Sequence, residues 1–100
     1  MSIYHQIATR IIKEQELIIG PLAWSEARKV VGLKVIDKQA GQKDFVEFSS
    51  DTPTESQEVI NRLVAQYERL FGRASREVCR EVVNGIIVDL QPSEIPTSLR

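Results

Sequence analysis

The chain has 100 residues, 42% of them hydrophobic and 27% charged, the composition of one small soluble globular domain with a modest core. Thirteen Lys and Arg stand against fourteen Asp and Glu, and a net charge of −1 excludes the cationic surplus of a dedicated nucleic-acid binder. A single cysteine, Cys79, excludes a disulfide framework or a cysteine-based zinc site, and the short apolar runs exclude a membrane span.

The opening "MSIYHQIATR" has no charged start followed by an apolar segment, so a secretory signal is not expected and a cytoplasmic location is. Apolar residues at Ile7, Ile11, Ile12, Ile18 and Ile19 then predict an amphipathic helix. Gly20 suits the left-handed position that ends a helix, and Pro21, lacking an N–H, can open the next one. Trp24 follows this corner. Its large ring fits either the core or an interface anchor.

Next come "GLKVID" and "KDFVEFSS", short and rich in β-branched and aromatic residues, on either side of the polar turn "KQAGQ". They predict a β-hairpin over residues 33–37 and 44–49. Leu33 and Val35 share one face, as do Val46 and Phe48, leaving Ile36 and Phe45 on the other. A two-stranded hairpin needs covering on its apolar face, so Ile36 and Phe45 are candidate interface residues.

"TPTE", residues 52–55, marks the next helix start, with Thr52 as N-cap, Pro53 at the first helical position and Glu55 closing a capping box. Val59, Ile60, Leu63, Val64, Tyr67, Leu70 and Phe71 form one wide apolar stripe up to Gly72, a second glycine corner. Beyond it, Asn84-Gly85 can end the last helix. Alternatively Val78, Val82, Ile86 and Leu90 carry their i+4 spacing across it, since a mid-helix glycine costs only about 1 kcal/mol. Residues 1–90 are expected to form the domain, with 91–100, holding Pro92 and Pro96, as a flexible tail.

Around the two corners the chain repeats itself. At the offset of 52 that carries Gly20 onto Gly72, Arg10 matches Arg62, Glu16 matches Glu68 and Arg28 matches Arg80, with Val30 and Val31 on Val82 and Val83. The apolar positions of the two stripes also coincide. The expected architecture is therefore mostly helical α+β, two pseudo-repeated helical hairpins flanking one β-hairpin. Such an arrangement invites packing about an internal twofold axis and homodimerisation.

Catalytic chemistry has no constellation to support it. His5, the only histidine, lies near the chain start, no serine sits in a glycine-flanked nucleophile elbow, and no phosphate-binding glycine motif occurs. Glu14, Glu16, Glu77 and Glu81 read as solvated helix faces, and Cys79 as a small buried hydrophobe. No catalytic residue, metal ligand or cofactor site is expected. The best polar candidate is "GRASR", where Arg73, Ser75, Arg76 and, one turn on, Arg80 surround a helix start. That chemistry suits a phosphate or carboxylate, unless these arginines pair with Glu68, Glu77 and Glu81.

The stretches "LIIGPLA" and "YERLFGRASREVCREVV" resemble short helical modules with a Gly-Pro-x-Ala corner, found as uncharacterised C-terminal additions to bacterial kinases and response regulators. Gly20, Pro21, Ala23 and Gly72 carry the likeness, while Arg73 and Ser75 depart from it. The resemblance implies protein–protein interaction in regulation and brings no catalytic residues. The expected function is thus a non-enzymatic, homodimeric interaction or regulatory module whose partner is itself or another protein. The alternative is a small-anion sensor at the arginine-lined corner.

Overall fold

The structure, a computed structural model, describes residues 3–36, 45–49, 52–88 and 90–99, with the side chains of Ile36 and Phe45 outside that description. In chain order it comprises α1 (Ile3–Ile19), α2 (Leu22–Ala27), β1 (Leu33–Ile36), β2 (Phe45–Phe48), α3 (Pro53–Phe71) and α4 (Arg73–Ile87). Short 3-10 turns follow at Pro92–Glu94 and Thr97–Leu99. The fold is mostly helical α+β, with one antiparallel strand pair.

Helices α1 and α3 form because their apolar residues recur on one face, and these two stripes supply half of the buried hydrophobic residues. α1 buries Tyr4, Ile7, Ala8, Ile11, Ile12 and Gln15, and α3 buries Ser56, Val59, Ile60, Leu63, Val64 and Tyr67. Each buried residue of α3 stands 52 positions after one of α1, the spacing of Gly20 and Gly72. Any two amphipathic helices match at some offset. Here the stripes also keep the same phase relative to the glycine that ends them.

The corners match in their hydrogen bonds. Gly20 N–H donates to the Glu16 carbonyl at 2.8 Å, and Gly72 N–H to that of Glu68 at 2.8 Å. Ala23 N–H and Ser75 N–H then reach back to the carbonyls of Gly20 and Gly72, both at 3.1 Å. Both glycines take positive φ, 71° and 86°, which a side chain would disfavour. Past the corners the halves diverge, since α2 has 6 residues and α4 has 15.

At the α3 start, Thr52 Oγ1 accepts from Glu55 N–H at 3.3 Å with Pro53 at the first position, as the sequence predicts. α2 gives way to a turn through Gly32, whose φ is +91° and whose missing Cβ would lie 2.7 Å from Val59 Cγ2. This close approach lets the chain cross α3, and Arg62 Nη1 holds the crossing by donating to the Val31 carbonyl at 3.1 Å.

In the hairpin Leu33 pairs with Phe48 and Val35 with Val46, so these four share one face. Leu33 and Val46 are buried, while Lys34 and Glu47, paired on the other face, are exposed. The core-facing side lies on α1, where the His5 ring meets Phe48 edge-on at 4.8 Å.

Asn84-Gly85 does not end the last helix, for α4 runs through it to Ile87. Its buried stripe is Ser75, Cys79, Val83 and Ile87, one position along from the apolar series at Val78, Val82, Ile86 and Leu90, of which Val82, Ile86 and Leu90 pack half-buried against the core.

Residues 91–99, expected to form a flexible tail, carry two 3-10 turns. Pro92 opens the first turn, its fixed φ suiting that position, and Pro96 immediately precedes the second. The segment then folds back over the helices. Pro96 and Leu99 are buried, Tyr4 Oη donates to the Glu94 carbonyl at 2.9 Å, and Asn61 Oδ1 accepts from both Ser98 N–H and Oγ at 3.0 and 2.7 Å.

Candidate functional site

Polar contacts between the helical hairpins converge where both corners meet. Gln15, in the last full turn of α1, sends Nε2 to the Ser75 carbonyl of α4 at 3.3 Å and to Cys79 Sγ at 3.5 Å. Tyr67, at the matching place in α3, donates its hydroxyl to the Ala23 carbonyl of α2 at 2.7 Å. Gln15 and Tyr67 correspond at the offset of 52, and so do Ala23 and Ser75. Each hairpin therefore reaches into the first turn of the other hairpin's second helix. This reciprocal contact brings the ends of α1 and α3 together and places both glycine corners on one end of the molecule.

A second pair follows the same offset. Trp24 Nε1 donates to Glu16 Oε2 at 2.8 Å, and Arg76, the residue matching Trp24, sets Nη1 3.7 Å from Glu68 Oε2. Trp24 is 8% exposed, its ring packed within its own chain.

At the corner where "GRASR" suggests an anion cradle, several of the named groups are engaged within the chain. Ser75 lies in the buried stripe of α4, Arg76 is engaged by Glu68 and by the Ser98 carbonyl at 3.4 Å, and Arg80 pairs with Glu77 at 3.5 Å. Helical spacing pairs Arg80 with Glu77, and the turn at Gly72 sets Arg76 of α4 against Glu68 of α3, which is the pairing alternative. Arg73 is exposed, without a side-chain hydrogen bond or ion pair among the described residues. A shallow groove of about 320 Å³ beside Arg80 is lined by Glu77, Glu81 and Asn84 as well, so its sign is mixed. The interface reading of Ile36 and Phe45 falls on side chains outside the described residues.

The titrating groups are tuned by burial and by local partners. Hydrogen bonds from Lys29 Nζ at 2.9 Å and Gln66 Nε2 at 2.7 Å hold the Glu26 carboxyl below its usual range, against the opposing effect of desolvation. Burial pushes the Cys79 thiol up to about 11, with the Gln15 contact working the other way. Burial likewise raises Tyr67 well above an ordinary phenol. Burial and a raised thiol both disfavour the thiolate, the form that reacts, at neutral pH. Among the described residues no group of three or more His, Cys, Asp or Glu converges on a metal site, and no helix is long and apolar enough to cross a membrane.

What the sequence reading missed is the apolar surface beside the corners. Leu17, Ile18, Leu22, Leu70 and Phe71 stay exposed, Leu17 at 80% and Ile18 at 62%. One signal could have found it. Ile18 and Leu70 continue the buried stripes for one step past Gln15 and Tyr67, where the turning chain no longer covers them. Comparison with known protein families, with curated proteins and with solved structures finds no match for this chain.

Proposed function

We propose that this protein is a non-enzymatic interaction module that pairs with a second copy of itself and serves regulation or complex assembly in the cytoplasm. The observation that carries this reading is a division of labour. The polar side chains best placed for chemistry are engaged within the fold, whereas large apolar side chains remain exposed at the corner end. Exposed apolar surface of this kind is a common mark of a contact surface. The test is absolute molar mass by light scattering across a dilution series. A dimer persisting into the low micromolar range supports the module, and a monomer at every concentration removes self-association.

The alternative, an anion sensor on Arg73, Ser75, Arg76 and Arg80, has only Arg73 in its favour as an exposed cation at a helix start. It predicts that phosphate raises the melting temperature and that Arg73→Ala abolishes the rise.

A further inference from the structure

We propose that the surface of α1, α3 and α4 beneath residues 91–99 is a peptide-docking site. This segment fills it within its own chain, and a partner's segment of the same chemistry takes its place. The partner peptide carries proline and leucine at the spacing of Pro96-Thr97-Ser98-Leu99, with small polar residues between them. Such docking needs no second copy of the chain.

The segment is held as a bound peptide is held, by side chains of the body on its main chain. Tyr4 Oη of α1 donates to the Glu94 carbonyl at 2.9 Å. Gln57 Nε2 of α3 donates to the Ser93 carbonyl at 3.3 Å and braces Tyr4 Oη at 3.2 Å. One turn further along α3, Asn61 Oδ1 accepts from Ser98 N–H at 3.0 Å, and Arg76 Nε of α4 donates to the Ser98 carbonyl at 3.4 Å. Main-chain bonds of this kind hold a peptide, and pockets for particular side chains select it. Here selection falls on Pro96 and Leu99, which are buried, while Thr97 between them is exposed. Leu99 N–H donates to the Pro96 carbonyl at 2.9 Å, and this tight turn sets both apolar side chains on one side.

The segment is also separable from the helices. Gln91, Pro92, Ser93 and Glu94 are exposed, and their own bonds are local: Glu94 N–H to the Gln91 carbonyl at 2.8 Å, Gln91 N–H to Glu94 Oε1 at 2.9 Å. The clamping bonds of Tyr4, Gln57, Asn61 and Arg76 are exposed or half-buried, so water replaces them at small cost when the segment leaves. A partner's segment therefore competes with residues 91–99 for one clamp. Its apparent affinity is set by the fraction of chains whose own segment is released.

The experiment titrates a capped, fluorescently labelled peptide of residues 91–99 into the full chain and its variants, read by anisotropy, with circular dichroism confirming the fold. Leu99→Asp in the chain puts a charge where the segment is buried and leaves the clamp untouched. The peptide then binds ~tenfold or more tightly than to the wild type, because its competitor is gone. Adding Asn61→Ala to that chain weakens binding about fivefold or more, since Ser98 loses its acceptor. A peptide carrying L99D does not bind. A folded Leu99→Asp chain that ignores the wild-type peptide, or equal binding to both chains, would overturn the docking site. Should Leu99→Asp unfold the chain, amide hydrogen exchange of the wild type decides. Ser98 and Leu99 amides that exchange by local opening, ~tenfold or more faster than the slowest amides of α3, support a segment that can be displaced. Exchange only through global unfolding would overturn it.

Discussion

Leu99→Ala separates a packed C-terminal segment from a loose one. Leu99 is 3% exposed, against the helices, and its turn is anchored by Ser98 on Asn61. Truncation to alanine removes about three methylene equivalents at about 0.8 kcal/mol each, roughly 2.4 kcal/mol of transfer free energy. Leu→Ala in cores costs about 2–5 kcal/mol once the cavity is included, and a site near the chain end can collapse, so the lower end applies. Roughly 2 kcal/mol lowers the melting temperature of a domain this size by about 10 °C. Thermal unfolding followed by far-ultraviolet circular dichroism reads this directly. Val88→Ala, at a 73% exposed position, is the control and should shift the midpoint little. If Leu99→Ala melts within about 2 °C of the wild type, the segment does not pack as described.

Three further outcomes follow from single positions. Gly32→Ala destabilises by about 2 kcal/mol or more in urea unfolding, combining left-handed strain with the clash on Val59; an unchanged midpoint would contradict the close approach. Tyr67→Phe costs about 1 kcal/mol by the same method, because the Ala23 carbonyl loses its cross-hairpin donor, and no loss would mean that bond is not made. Cys79 favours its protonated form in the fold, so its contribution is complete below the unfolded value of 9.0 and declines as pH rises from there towards about 11. Cys79→Ala should therefore flatten the alkaline fall in stability, and a native thiol that reacts rapidly with a disulfide reagent at neutral pH would refute its burial.

Local signals carried much of the fold. Thr52-Pro53, the two apolar stripes and the glycines at 20 and 72 each act within a few residues, so helix starts, faces and corners were legible from spacing alone. The hairpin was legible too, through its β-branched and aromatic alternation. The C-terminal segment was not, because Pro92 and Pro96 announce a break in regular structure without revealing whether the chain then leaves or folds back. That outcome depends on Asn61, Gln57 and Tyr4, far away in sequence. Similarly, "GRASR" has the composition of an anion site, yet helix phase buries Ser75 and tertiary contact pairs Arg76 with Glu68. The coupling of Gln15 to Ser75 and of Tyr67 to Ala23 is equally long-range. The repeated spacing hinted at paired halves but could not show which side chains cross between them.

The most direct test of the account is an isotope-filtered nuclear Overhauser experiment on a mixture of labelled and unlabelled chains, which sees only contacts between copies. Cross-peaks joining the Ile18, Leu22 and Leu70 methyl groups and the Phe71 ring of one copy to those of the other are the predicted result. Intermolecular cross-peaks confined to the β-hairpin, or none at a concentration where the chain is dimeric, would contradict self-pairing through these exposed apolar side chains.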